Sequence, residues 1–402
     1  MHVRRAGFCL AGLSLALLLA ATSSASAEPP TTAITSGGPL TSIWIGNELS
    51  CQISYTGDPL YELYPSNVAP GDCGTFLAVG GTLFAPDFAS HSTSAARNTL
   101  GTYTPFTAVS QTPVSGAGNI SSPFTVTTVA SAGTTGLQIR QIDSYVPGQE
   151  SYRTDVTVTN TGGAAQSVTL YRAGDCYLQG TDAGFGFLGP EPGAVGCSAN
   201  ANNSPSGRIE QWLPITGGNT WLESSYSSVW SAVGARMPFA NTCMCTTTID
   251  NGAGIAWALT IPPGGSATVS HYTTFSPTGN AAPPPTGATT PGKLPPAFGR
   301  NGIIQGLPSN RVCLSKRHFT IHIRRYPGIS YVEAIVFVNR HTVSVTRSRS
   351  GQLSAPIDLR GLPSGTFPVK ITVITTTGSI ISGTRTYKTC HRKVGFRGPG
   401  RL

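Results

Sequence analysis

The chain has 402 residues, 39 % of them hydrophobic and only 11 % charged, with 48 Gly, 31 Pro and a formal net charge of +9. Beyond the first thirty residues it offers no run of about 20 consecutive apolar residues, which excludes a membrane-spanning helix there. The charge is also unevenly spread. Residues 28–300 carry 8 Lys and Arg against 15 Asp and Glu, a net of −7, and residues 301–402 carry 16 against 2, a net of +14. Two modules of different surface chemistry therefore share one chain.

Taken in chain order, Met1-His2-Val3-Arg4-Arg5 precedes an apolar stretch from Leu10 to Ala21, and Ala25-Ser26-Ala27 precedes Glu28. This is the n-region, h-region and small-residue cleavage site of a signal peptide over 1–27, which predicts an exported, extracellular protein. Cys9 leaves with the peptide. The eight remaining cysteines are Cys51, Cys73, Cys176, Cys197, Cys243, Cys245, Cys313 and Cys390. An even number in an oxidising compartment predicts disulfides. A zinc site of Cys176, Cys197, Cys243 and Cys245 is the alternative, but the usual C-x₂-C knuckles are absent, so no metal is expected there. Cys51 and Cys73 are expected to pair. The connectivity of the other four stays open, as cross-bridging or as a local Cys243–Cys245 pair.

Residues 28–276 read as a large all-β module. Apolar residues alternate in Phe124-Thr125-Val126-Thr127-Thr128-Val129, Leu137 to Ile142, Asp155 to Thr159 and Ser266 to Ser270, the period of half-buried strands. Gly and Pro clusters such as Val146-Pro147-Gly148 and Pro262-Pro263-Gly264-Gly265 punctuate them. Over this length the pattern predicts a large antiparallel β-sandwich. Thr154–Asn160 and Gln166–Arg172, joined through Thr161-Gly162-Gly163, read as a hairpin, which makes Asp175 a strand-end turn residue. Residues 221–235 are the exception, with Leu222, Tyr226, Val229 and Val233 on a helical stripe.

A Pro/Gly/Thr-rich stretch, 277–300, reads as a semi-rigid linker. Beyond it, 301–390 shows short alternating runs: Phe319, Ile321 and Ile323 against His318, Thr320, His322 and Arg324, then Val332 to Val338, Val343 to Thr346, Ile357 to Leu359, Val369 to Ile374 and Ile380 to Tyr387. That is the strand density of a small Ig-like β-sandwich. Cys313 and Cys390 flank it, and a bridge between them would add roughly 4–5 kcal/mol in an unstrained case. Residues 391–402 read as a basic disordered tail.

Segments such as "RVCLSKRHFTIHI", "APIDLRGLPSGTFPVKITV" and "SGTRTYKTC" resemble the Ig-like modules at the C-termini of exported actinobacterial proteins. The region from Trp44 to Pro277, with "DSYVPGQESYRTDVTVTNTGG" and "LYRAGDCYLQ", looks like an uncharacterised module of the same kind of protein. The resemblance implies architecture and location, and it carries over no catalytic residue.

Motifs for chemistry are sparse. The chain has no Gly-x-Ser-x-Gly elbow and no His-Glu-x-x-His, and Asp87, His91 and His271 give no reason to select a nucleophile among the serines. His318 and His322 share a strand face with backbones about 13 Å apart, too far to chelate one ion. Asp182 and Asp250-Asn251-Gly252 offer oxygens to calcium without the alternating pattern of a dedicated loop. Trp212, Trp221, Tyr226 and Trp230 suit either a core or a sugar-stacking platform, and Glu210, Glu223 and Asp250 are the carboxylates a carbohydrate-active enzyme would use. The basic module, with Arg317, Arg324 and Arg325 among its cations, suits an anionic cell-envelope polymer or polysaccharide. Few aromatics accompany these cations, so no specific nucleic acid is expected. The sequence thus predicts an exported binding or structural protein, non-catalytic and without a cofactor, noncovalently associated with the cell wall. The alternative is a carbohydrate-active enzyme.

Overall fold

The computed structural model describes residues 30–275 apart from 120–121, 190–192 and 200–207, and residues 295–390 apart from 300–301, 313, 315–316, 327–328, 330, 340, 349–351 and 376–379. The segment predicted as a signal peptide, most of the expected linker and the expected basic tail lie outside the described residues.

The large module is the antiparallel sandwich that the alternation predicts. One sheet runs in the order Thr31–Thr35, Leu40–Gly46, Ser50–Tyr55, Gly71–Val79, Gln166–Asp175, Ile249–Ile261, Thr220–Ser225. The other runs Thr107–Gln111, Phe124–Ser131, Leu137–Tyr145, Ser151–Asn160, Ser266–Thr274, Ile209–Pro214, Val195–Ser198, Ala183–Leu188. A short ladder, Ala183 and Gly184 against Asp250 and Ile249, joins the two sheets at one corner. Between them Leu137, Ile139, Val156, Val158 and Val269 of the second sheet meet Val168, Leu170, Ile255 and Trp257 of the first.

The expected hairpin is corrected here. Ser151–Asn160 pairs with Leu137–Tyr145 and Ser266–Thr274, whereas Gln166–Asp175 pairs with Gly71–Val79 and Ile249–Ile261. The connection is an arch that carries the chain from one sheet to the other. Asn160 holds its shape: its amide donates to Ala164 O and Ile261 O, and its carbonyl accepts from Gly162 N. The reason is burial, since Val156 and Val158 cover Val168 and Leu170 across the sandwich instead of lying beside them in one sheet.

The outer face of the first sheet carries a second core. There the predicted helix forms, but over Tyr226–Gly234 only, because Leu222 belongs to the preceding strand. Ser225 caps it by accepting from Ser228 N. Val229, Trp230 and Val233 pack on Phe76, Phe88, Tyr171 and Ala256.

Among the described residues both partners are seen in three disulfides: Cys51–Cys73, Cys176–Cys197 and the local pair Cys243–Cys245. Cys390 is also disulfide-bonded, and Cys313 lies outside the described residues.

The small module is a sandwich of two four-stranded sheets. In the first, Ile304–Gln305, His318–Ile323, Leu353–Asp358 and Thr346–Arg347 lie side by side. In the second, His341–Val343, Tyr331–Val338, Thr366–Thr375 and Ile380–Lys388 do. Val343 to Thr346, expected as one strand, divides between the two sheets. Ala297 and Phe298, read as linker, pack into this module's core, so the folded unit begins earlier than expected.

Ile335, Phe337 and Ile374, on the outward face of the second small sheet, pack against Ala194, Leu213 and Tyr272 of the large module. Beside this seam Arg153 bridges Asp155 and Glu333.

Candidate functional site

The four aromatics expected to form one platform are divided between two cores. Trp212 lies inside the sandwich and Trp230 beneath the helix, both fully buried. Trp221 and Tyr226 are half-buried at their edges. Trp212 and Trp230 therefore serve as core and not as a surface for sugar stacking, since a ring enclosed by side chains has no face to offer.

The expected carboxylates are separated as well. Glu210 is fully buried on the inner face of its sheet, both oxygens without a partner. Glu223 is buried and engaged, accepting from Met244 N at 2.8 Å and Asn251 Nδ2 at 3.0 Å, which ties down the Cys243–Cys245 loop. Asp250 sits elsewhere, in the acidic cluster described below.

Glu210 belongs to a polar band across the sandwich interior, with Arg172, His271 and Thr273. Arg172 donates to Tyr152 Oη at 3.0 Å, and both ring nitrogens of His271 lack partners. Burial, reinforced by Arg172 and Arg153, pushes His271 well below its usual range and keeps it neutral. Burial pushes Glu210 well above the carboxylate range, Glu62 adds to the rise, and Arg172 opposes it. A raised carboxyl costs no stability at low pH. Its penalty develops as pH rises past the unfolded value of about 4.3. Glu210→Gln should therefore match the parent near pH 4 and exceed it near pH 7 in urea denaturation. An advantage that shrinks as pH rises would contradict this assignment.

His91 is buried with Nε2 3.0 Å from Glu48 Oε1, while Asp87 accepts from Ser90 Oγ. His91 and Asp87 thus have separate partners, His271 has none, and the three assemble no catalytic triad among the described residues.

In the small module His318, Thr320 and His322 alternate outward along one strand, with Phe319 half-buried and Ile321 and Ile323 in the core. Arg324 and Arg325 continue the exposed edge. Arg317 is corrected to a structural role: it donates to Leu362 O at 2.6 Å and Cys390 O at 2.5 Å, closing the end of the sandwich. A groove of about 260 Å³ runs along the seam between the modules, past Arg153, Tyr272, Glu333 and Arg347.

One further cluster is assembled by topology alone. Asp175 ends a central strand of the first sheet, Asp182 precedes the strand Ala183–Leu188, and Asp250 lies near the start of Ile249–Ile261. One carboxylate oxygen from each lies within 4.8 Å of the others. Asp175 is 2 % exposed. Burial, then Asp72, Asp250 and Asp182, push it well above the carboxylate range. Asp250 is pushed up to about 6 by burial and by Asp182. The phenols of Tyr64 and Tyr226 lie close enough to be raised by burial and then by these carboxylates. Sequence reading singled out Asp182 and Asp250 as oxygen donors but took Asp175 for a turn residue, because only the corner between the sheets brings the three together.

No protein-family model matches the chain, and no curated protein matches it. Among solved structures, a putative aldose 1-epimerase from Klebsiella pneumoniae is 12 % identical with a TM-score of 0.33, over 58 % of this chain and 76 % of that one. The GH36 α-galactosidase AgaA from Geobacillus stearothermophilus is 8 % identical with a TM-score of 0.34, over 62 % of this chain and 41 % of that one. Slr1438 from Synechocystis sp. PCC 6803 is 9 % identical with a TM-score of 0.32, over 63 % and 98 %. These likenesses are too loose to transfer a residue or a substrate.

Proposed function

We propose that this is an exported β protein of the cell exterior that binds rather than catalyses, and that its small module associates with an anionic envelope polymer. The observation that carries the reading is which small sheet faces outward. The large module covers the sheet bearing Ile335, Phe337 and Ile374. The opposite sheet stays open, and along it lie His318, His322, Arg324 and Arg325. Arg360 with Asp358 is the ion pair on this open side among the described residues. Exposed cations attract a polyanion over about a Debye length, so the association falls with salt. Phe319 is turned inward and half-buried, so the strand His318–Ile323 offers no aromatic face for bases, which favours a phosphate- or carboxylate-bearing wall polymer over nucleic acid. The disulfides and the signal peptide predicted over 1–27 agree with an exported location, as does the resemblance to exported actinobacterial proteins.

The test is co-sedimentation of the mature chain with purified cell-wall material across a salt series. Binding should weaken steeply with salt. The double variant Arg324→Gln, Arg325→Gln should lose roughly threefold or more in affinity at low salt and show a shallower slope. No binding at low salt, or an unchanged slope in the variant, would sink the proposal.

A further inference from the structure

We propose that Asp175, Asp182 and Asp250 form a divalent-cation site of the calcium class, which clasps the corner where the two sheets of the large module join. Two features of the cluster point to a ligand. Each of the three residues has a buried Oδ1 with no hydrogen-bond partner, and Asp175 is almost wholly enclosed. Unpaired buried carboxylate oxygens are costly, and three turned toward one another cost more. Moreover, among the described residues the charged groups that act most on the three are all anionic: Asp72 and the trio itself. Asp72 is already engaged by Ser94 Oγ, Ala95 N and Ala96 N, so it adds field without acting as a ligand. The indole of Trp230 opposes the rise of Asp175, but its N–H does not complete a hydrogen bond.

The geometry suits the ion. Oxygens on opposite sides of Ca²⁺ are separated by about 5 Å, twice a bond of about 2.3–2.6 Å, and the three donors fall within that span at 4.8 Å or less. The donor set is hard oxygen alone, without nitrogen or sulfur, which selects calcium, magnesium or manganese over zinc or copper. Asp182 and Asp250 are only partly buried, so water reaches the coordination positions the protein leaves open. The mechanical role follows from the covalent frame. Cys176, bonded to Cys197, and the Ala183–Asp250 rung bracket the loop that carries Asp182. A cation would tie that loop to the strand ends on both sides.

The experiment uses the mature full-length chain, stripped with chelator and then titrated. Calcium near a hundredfold excess over its Kd should raise Tm by about 5–10 °C. Tb³⁺ should show emission sensitised by Tyr64, Tyr226 and Trp230, and calcium should displace it. The variant Asp182→Asn, Asp250→Asn should lose both responses and, in chelator, melt at or above the parent, because its mutual repulsion is gone. A parent without a calcium response and without displaceable Tb³⁺ emission would overturn the proposal whether or not the variant folds. A full response retained in the folded variant would overturn it too, by placing the ion elsewhere.

Discussion

Trp230→Ala is expected to destabilise the large module by about 3–5 kcal/mol, the range for removing a large aromatic from a packed core. The indole has no exposed surface and lies 5.7 Å from Phe76 and 6.0 Å from Phe88, ring centre to ring centre. It is the main anchor of the Tyr226–Gly234 helix on the outer face of its sheet, a second core too small to absorb the loss by collapse. Trp221→Ala, at a half-buried edge, should cost clearly less. Urea midpoints of both variants, against the parent and Trp230→Phe, decide the matter. A surface platform would reverse the order, with Trp230 nearly neutral.

The tryptophans show where sequence reading stops. Alternation in Leu137–Tyr145, Ser151–Asn160 and His318–Ile323 announced strands and their buried faces, because side-chain direction along a strand is a local property. It did not announce neighbours. Thr154–Asn160 and Gln166–Arg172 have the same pattern whether they pair in one sheet or face each other across two, and burial of Val156 and Val158 over Val168 and Leu170 decides for the arch. The same limit hid the acidic cluster. Asp175 and Asp250 are 75 positions apart in sequence, and they meet only because Gln166–Asp175 lies antiparallel to Ile249–Ile261, with Asp175 opposite Gly252. Charge asymmetry, by contrast, was legible at once, since it depends on composition alone. What composition could not supply was which basic sheet stays open, or that Arg317 is spent on two backbone carbonyls.

The seam between the modules gives the second large effect. Glu333 accepts from Tyr272 Oη at 2.6 Å and from Arg153 Nη1 at 2.9 Å, while Arg153 keeps Asp155 as its other partner. Burial, followed by Glu333, pushes the Tyr272 phenol well above its usual range, so it remains a donor at any working pH. Glu333→Ala should cost about 1–3 kcal/mol, mostly from a buried hydroxyl left without an acceptor, since Arg153 retains Asp155. Phe337→Asp should do more. It places a carboxylate among Leu213, Tyr272 and Ile374, although on an isolated small module the same position would face water. Calorimetry should then show one cooperative transition in the parent and two in the Phe337→Asp variant, the second matching the small module alone. The basic face lies on the opposite sheet, so the uncoupled variant should keep its affinity and salt slope for wall polymer. Loss of binding on uncoupling would mean that the polymer is gripped in the groove past Arg153 and Arg347, and the open sheet would lose its place as the binding surface.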